Sequence, residues 1–303
     1  MLKALKFIKR PFRLYSAFSF KGYLKWVPDR LHLKLMYRGM MKKRLNLDNP
    51  RTFNEKLQWL KLYDRKPLYT TIADKYRVKK WASDRIPECY IPKTYAVWKS
   101  AEEIDITSLP DTFVLKTNHD CGGVCICSDK NSFDLDEAKN KLRDHLRINY
   151  YYTSREWPYK NIKPLVFAEE YLTALDSDTS GAGDIPDCKI MCFGGKPVLA
   201  QVHRGRTGMH TQDFYELPEW NRVHISQGFP ESDTTDAAPS DLGLMLEMSA
   251  LLSAGFPQLR VDWFVSREGL KLGELTLFDG SGFDPFDPEE WDVKLGTLIE
   301  LPN

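Results

Sequence analysis

The residues with the plainest chemical potential are Asp262 and Glu274. They lie in two strand-like runs, 259–265 and 270–278, joined by the short turn Ser266-Arg-Glu-Gly269, a pattern that predicts a β-hairpin. Alternation puts Arg260, Asp262 and Phe264 on one face of the first strand and Glu274 and Thr276 on one face of the second. The length of the turn sets Asp262 nearly opposite Glu274. Like charges facing each other across a ladder repel. Beside Val261, Trp263 and Phe264 that repulsion is costly unless a cation sits between them. Mg²⁺ is a natural candidate, because it prefers carboxylates together with phosphate oxygens. A solvent-facing pair of ordinary surface acids is the rival reading.

Two other stretches bear on the same chemistry. In Val114-Leu-Lys116-Thr-Asn-His-Asp-Cys-Gly122-Gly123-Val124 a lysine sits inside an apolar strand and a glycine turn follows. A lysine supplies charge to a phosphate and glycines let backbone N–H groups approach it, although a plain hairpin turn accounts for the glycines equally. The spacing is not that of a P-loop. Ala168-Glu169-Glu170-Tyr171-Leu172 puts an acidic pair just after a buried strand, which by itself suits a strand end turning into solvent.

The elements that must position these residues fall in two parts. Residues 1–50 read as a basic helical segment. Thr52 and Glu55 have capping-box spacing ahead of an amphipathic stretch over 55–69. A further helix is expected over 71–85 and a short strand opening at Tyr90-Ile91-Pro92. From Phe113 the pattern alternates strand and helix: strands over 113–117, 124–127 and 165–168, with a helix over 134–150. The segment 173–186 is rich in Ser, Gly and Asp and reads as a surface loop. Runs 189–193 and 197–202 flank Gly194-Gly195, a hairpin signal; a helix follows over 241–252.

Taken in order, Asp74-Lys75, Lys116 with its glycine loop, Glu169-Glu170-Tyr171-Leu172, Asp187-Cys-Lys189, Arg260-Val-Asp262 and Glu274-Leu-Thr276 resemble the ATP-grasp superfamily, and more closely its TupA-like branch. The matching stretches are Phe53-Asn-Glu-Lys-Leu-Gln-Trp-Leu-Lys-Leu-Tyr-Asp64, Phe113-Val-Leu-Lys-Thr-Asn-His-Asp120, Arg155-Glu-Trp-Pro-Tyr-Lys-Asn-Ile-Lys-Pro164, Gly280-Ser-Gly-Phe283 and Glu289-Glu-Trp-Asp292. The resemblance implies an α+β ATP-grasp fold in which two α+β lobes clasp ATP, with an added basic segment at 1–50. A helical and αβ region would occupy 51–110, lobe 1 residues 111–172, and lobe 2 with the metal site 173–303.

It also implies roles. Lys116 and Lys75 would contact the nucleotide phosphates. The loop carrying Asn118, His119, Gly122 and Gly123 would close over them. Glu169, Glu170, Tyr171 and Leu172 would form the hinge beside adenine and ribose, with Asp187 toward the ribose and Lys189 toward the γ-phosphate. Asp262, Glu274 and Thr276 would hold Mg²⁺, Thr276 standing where many relatives have Asn. Arg260 would stabilise the charge that develops during transfer. The implied reaction activates a carboxylate as an acyl phosphate and passes it to an amine. Arg204 and Arg206 follow a strand in Gln201-Val-His203-Arg-Gly-Arg206 and are suited to binding a substrate carboxylate. The acidic, aromatic stretch 279–292 is expected either to line a sugar or amine site or to cap the fold.

Composition bounds these readings. Of 303 residues 42% are hydrophobic and 28% charged, values of a soluble protein with a real core. The net charge is +1, yet residues 1–45 hold a single acid, Asp29, among many Lys and Arg. That suits a basic face balancing an acidic body, or attraction to a polyanion or anionic membrane. No run reaches the roughly 18–20 apolar residues that cross a bilayer, and basic residues interrupt any signal-peptide core in 1–26. The expectation is a cytoplasmic protein with possible peripheral contact at the inner membrane face. Six cysteines lack C-x-x-C spacing and read as buried small hydrophobes. The combined expectation is an ADP-forming ligase joining an amino acid or peptide to a sugar acid in cell-surface polysaccharide synthesis, with ATP and Mg²⁺ and no nucleic-acid partner. The rivals are a glycosyltransferase of the same pathway class and a non-catalytic nucleotide-binding scaffold.

Overall fold

The computed structural model describes residues 11–175, 185, 187–205 and 209–302. Two antiparallel sheets organise the chain. The smaller contains β1 (Thr94–Trp98), β2 (Phe113–Thr117), β3 (Val124–Cys127) and β4 (Val166–Glu169), in the order β1-β4-β2-β3. The larger contains β5 (Asp187–Phe193), β6 (Lys196–Arg204), β7 (Thr211–Glu216), β8 (Asn221–Val223), β9 (Gln258–Ser266) and β10 (Gly269–Thr276), in the order β10-β9-β5-β6-β7-β8. This is the expected α+β architecture. Because β1 pairs with β4, the first lobe draws its edge strand from within 51–110 and does not begin at 111.

The larger sheet separates chemistry from core by strand alternation. One face carries Cys188, Ile190, Val261 and Trp263, all buried. It is covered by α8 (Leu242–Ser253), whose Met245, Met248 and Leu252 are buried with it. Trp263 spends its indole N–H on Ser249 Oγ at 2.9 Å, so even the largest side chain of that core is satisfied. The opposite face carries Asp187, Lys189, Gln201, Arg260 and Asp262, and it faces the functional clefts.

Helices α1 (Pro11–Phe20) and α2 (Asp29–Met40) precede α3 (Phe53–Tyr63), which starts at the expected capping box: Thr52 Oγ1 accepts from Glu55 N at 3.2 Å and Glu55 Oε2 from Thr52 N at 3.3 Å. Such a cap contributes about 1 kcal/mol. Phe53, Leu57 and Leu60 of α3 enter the main core. Asn54, Gln58 and Lys61 are buried on a polar face.

Four local expectations change. The helix expected over 71–85 is two, α4 (Pro67–Ala73) and α5 (Arg77–Ser83). Asp74 breaks it by accepting from Tyr76 N and Arg77 N, each at 3.0 Å, so its carboxylate replaces the helical acceptor. The helix expected over 134–150 ends as α6 (Leu135–Leu146) and is followed by the single turn α7 (Tyr151–Ser154). The strand expected at residue 90 starts at Thr94, after a 3-10 turn over Glu88–Tyr90. β7 and β8 had no counterpart in the sequence reading. Cys89 and Cys121 are exposed rather than buried. No helix among the described residues is long and apolar enough to cross a membrane.

Candidate active site

Two adjoining spaces share β10. The first is a cleft of about 310 Å³ between the sheets, lined by Val114, Lys116, Val124 and Ile126 from one side and Phe264, Leu272 and Gly273 from the other. Glu169, Glu170, Tyr171 and Leu172 close its end, so the four expected hinge residues meet Lys116. Glu169 is buried in contact with two lysines: Lys116 Nζ is ion-paired to one oxygen and Lys79 Nζ lies 2.7 Å from the other. Burial alone would raise the Glu169 carboxyl, but the two cations outweigh it and hold it below the usual range. Lys79 also donates to Pro92 O at 2.9 Å and Thr94 Oγ1 at 3.0 Å. Sequence reasoning missed Lys79. Spacing gave no signal for it, because Lys75 precedes α5 and the four-residue offset is not a helical pair.

Glu170 takes a different cation, Lys271, at 3.1 Å. Lys271 was also missed, for a geometric reason. Strict alternation gives Lys271 and Glu274 opposite faces. A bulge between Leu272 and Glu274 leaves Gly273 unpaired, so that Lys271 opposes Phe264, Glu274 opposes Asp262 and Thr276 opposes Arg260, all on the site face.

The second space is a cavity of about 350 Å³ whose lining includes Lys75, Arg260, Glu274, Thr276, Tyr150, Glu156, Tyr159 and Asp284. Lys75 Nζ lies 3.7 Å from Glu274 Oε1 and donates to Asp120 O. Beneath the wall is a buried ionic layer. Arg260 holds Asp262 through both oxygens, Nε to Oδ1 at 2.7 Å and Nη2 to Oδ2 at 2.8 Å. Lys189 Nζ contacts Asp262 Oδ2 and lies 2.6 Å from Asp187 Oδ2. Arg260 also pairs with Asp279 and donates to Thr276 Oγ1 at 3.1 Å. Burial would raise the Asp262 carboxyl, but Arg260 and Lys189 hold it at about 2. The cation required beside Asp262 is therefore supplied by the protein. Of the expected metal-binding set, Glu274 and Thr276 line the cavity, while Asp262 lies behind Arg260 and is 3% exposed.

The far wall is built from two sequence stretches that carried no assigned chemistry, backed by a third. Glu156 and Tyr159 come from the Arg155-Glu-Trp-Pro-Tyr stretch and Ser281 from Gly280-Ser-Gly-Phe283, while Gln58 and Lys61 of α3 lie behind the wall and hold Ser281 O. Lys61 Nζ donates to Gln58 Oε1 and Ser154 O, each at 3.1 Å, and to Ser281 O at 2.6 Å. Glu156 Oε1 accepts from Ser154 Oγ at 3.1 Å and from Ser281 Oγ. Burial raises the Glu156 carboxyl and lowers the Lys61 ammonium, each opposed by the other's charge. Asp284 is pushed up to about 6 by burial and by Asp279. Among the residues lining the cavity, carboxyl groups outnumber cations: Asp120, Glu156, Glu274 and Asp284 against Lys75 and Arg260.

Several expected site residues do other work. Asn118 is buried, and its amide donates to Asp74 Oδ2 at 2.9 Å and Lys163 O at 3.1 Å while accepting from Leu165 N at 2.9 Å. It ties the loop to α5 and β4 and has no side-chain group left for a phosphate. His119 is buried against Ile148 O at 3.0 Å, and desolvation lowers its pKa, so it stays neutral. Gly122 and Gly123 turn the chain tightly: Thr117 N donates to Gly123 O at 2.8 Å, and a Cβ on Gly123 would collide with Thr117 Oγ1. The loop is pinned rather than open. Arg204 alternates to the face opposite Gln201 and His203 and lies 2.7 Å from Asp236, so it points away from Arg260. Arg206 lies outside the described residues. Within residues 279–292, Asp284 lines the cavity and Asp279 pairs with Arg260, while Asp292 accepts from Asn54 N at 2.9 Å and ties the stretch to the start of α3.

With this geometry established, comparison with known proteins adds the following. No curated protein matches the chain. Among solved structures, a D-alanine–D-alanine ligase from Bacillus anthracis complexed with ATP is 17% identical, with a TM-score of 0.38 over 68% of this chain and 54% of that one. The chain thus spans about half the length of that ligase. A D-alanine–D-alanine ligase from Helicobacter pylori is 14% identical, with a TM-score of 0.42 over 82% of this chain and 69% of that one. The ATP-grasp ligase PsnB with minimal precursor, Mg and ADP is 10% identical, with a TM-score of 0.38 over 83% of this chain and 63% of that one. The family profile described as TupA-like ATPgrasp matches residues 55–300, and the protein belongs to that family.

Proposed function

We propose that this protein is an ADP-forming carboxylate–amine ligase. One observation carries the reading: consecutive residues of β10 line both spaces, Leu272 and Gly273 the cleft with Lys116 and the hinge, Glu274 and Thr276 the cavity with Arg260 and Lys75. A nucleotide with its base against Phe264 and Leu272 would direct its phosphates toward those charges. A carboxylate oxygen of the first substrate attacks the γ-phosphorus and ADP leaves. The amine then attacks the acyl carbon, and the acyl–oxygen bond breaks to release phosphate. The amine's proton passes to a carboxylate of the far wall. Asp284, at about 6, is in the range that accepts one near neutrality.

The residues fit Mg²⁺, on the evidence of the carboxylate surplus. Mg²⁺ takes one or two carboxylates and completes its shell with phosphates and water, and among the described residues the ion pair of Glu274 is a long one, 3.7 Å to Lys75. Glu274 would hold it, with Thr276 adjacent and Asp262 in reserve behind Arg260. When bound, the ion neutralises phosphate charge. Arg260 and Lys75 would orient the reacting groups without needing a protein nucleophile, with Lys189 holding the layer beneath them.

For substrates we infer an amino acid or peptide as the amine and a sugar acid as the carboxylate, in assembly of cell-surface polysaccharide. The acidic and aromatic far wall of Glu156, Asp284, Tyr150 and Tyr159 suits an ammonium or a hydroxyl-rich ring. An ADP-release screen across amino acids and uronic acids, with mass spectrometry of the product, tests this. A condensed amide with stoichiometric ADP is the expected result. Tight ATP binding without ADP release from any pair would replace the ligase with a nucleotide-binding scaffold.

A further inference from the structure

Helix α1 is built inside out. Its buried positions are Ser16 and Ser19, while Phe12, Phe18 and Phe20 are 40%, 44% and 48% exposed. The turn that follows continues the apolar face with Tyr23 at 63% and Trp26 at 80%. The small residues inside are specified by the packing. α2 crosses α1 at Gly39, where a Cβ would collide with Ser16 Oγ and Phe12 O. Ser19 Oγ donates to Thr153 O at 2.9 Å and lies 2.9 Å from His32 Nε2, so the inward polar face is satisfied. A globular helix normally buries its aromatic side. Here Leu14 and Phe18 lie one turn apart in water and the Phe18 ring is 6.1 Å from that of Tyr23, a contiguous apolar surface of the kind that marks an interaction site.

The charges identify the partner. Arg13, Lys21 and Lys25 lie on the same segment, and the only acid in residues 11–45 is Asp29. Asp29 is spent inward, accepting from Tyr151 OH at 2.5 Å and from Arg65 Nη2 at 2.8 Å. Exposed aromatics beside uncompensated lysines match a bilayer interface, where rings enter the headgroup region and lysines meet anionic lipid. A soluble polyanion would use the lysines but not Phe18 or Trp26. Phe20, across the helix from Phe18, instead lines the cavity that holds Glu274 together with Met40. We propose that the outer face of α1 carrying Phe18, with the turn after it carrying Tyr23 and Trp26, docks the protein on an anionic lipid bilayer.

Vesicle flotation of the full chain tests this, using phosphatidylcholine alone and phosphatidylcholine with phosphatidylglycerol. Binding is expected only to the anionic vesicles. Two separate variants, Phe18→Ser with Trp26→Ser and Lys21→Glu with Lys25→Glu, should each weaken it about tenfold or more. All four positions are exposed, so both variants should keep their thermal melts and their ADP release in the absence of vesicles. Failure to float with anionic vesicles overturns the proposal. So does binding that ignores the aromatic pair, or equal binding to a soluble polyuronate that only the lysine pair disturbs. Self-association lost on removing Phe18 and Trp26, without vesicle binding, assigns the face to a second copy of the chain instead.

Discussion

Glu274 stands opposite Asp262 in the β9–β10 ladder, yet the two carboxylates answer to different cations. Asp262 is locked by Arg260 and Lys189 in the protein interior. Glu274 faces the cavity with Lys75 at 3.7 Å. Adjacent acids have thus been divided into one that holds the site together and one available to a ligand.

Glu274→Gln is expected to remove ADP release by about a hundredfold or more, the scale of losing an electrostatic contact to a transferring group. Stability should barely change. The Lys75–Glu274 pair is partly exposed, at 23% and 35%, and such pairs contribute about 0–1 kcal/mol. Turnover at the parent rate would remove Glu274 from the chemistry; a large drop in melting temperature would make it structural.

Asp262→Asn should behave oppositely in the melt. It leaves Arg260 and Lys189 buried with less compensation, a change that costs about 3–5 kcal/mol. Urea unfolding measures it, and a midpoint matching that of Glu274→Gln would contradict the buried layer described above.

Lys116→Ala is expected to weaken nucleotide binding about tenfold, read by calorimetry. The fold should survive, because Lys79 still holds Glu169. An unaltered Kd would take Lys116 out of the nucleotide site. Lys79→Ala should destabilise more, since Lys79 also ties Pro92 O and Thr94 Oγ1.

Asn118→Ala should lower stability by about 2–3 kcal/mol, because it strands buried groups of Asp74 and Leu165. Nucleotide affinity of the folded fraction should stay close to the parent's. A selective loss of affinity with an unchanged melt would restore Asn118 to the phosphate site.

Two acids give pH effects of opposite sign in the nucleotide-free protein. Asp284 is raised from 3.8 to about 6, so it contributes stability below pH 3.8 that is lost as pH rises through about 6. Asp262 is lowered from 3.8 to about 2, so its contribution is present above pH 3.8 and lost as pH falls through about 2. Urea midpoints at pH 4 and pH 7 should differ less in Asp284→Asn than in the parent; an identical difference would contradict the raised carboxyl.

Much of this site was legible in the sequence because strand alternation is local. Arg260, Asp262, Glu274 and Thr276 could be assigned to one face from spacing alone. What stayed hidden depends on contacts distant in the chain. Lys61, Glu156 and Ser281 meet only in the folded protein, with Glu156 and Ser281 125 positions apart. Arg204 looked like a substrate ligand because an arginine after a strand carries no mark of which face it will take, and register with β7 decided it. Asn118 looked like a phosphate-loop residue because polar loop residues that bind ligands and those that brace the backbone have the same composition. Lys271 was hidden by a single unpaired glycine.

That glycine makes the hairpin behave like a reading frame. Gly273 adds one residue to β10 without a partner on β9. Were Gly273 drawn into the ladder, every position on its N-terminal side would shift by one, exchanging the outward Lys271 with the inward Leu272 while leaving Glu274 and Thr276 in phase. The tip of the hairpin is held as well, Arg267 N donating to Thr173 O at 2.9 Å and Glu268 Oε2 accepting from Thr173 N at 2.8 Å. With both ends fixed, the one unpaired glycine decides whether Lys271 and Glu274 address the same face.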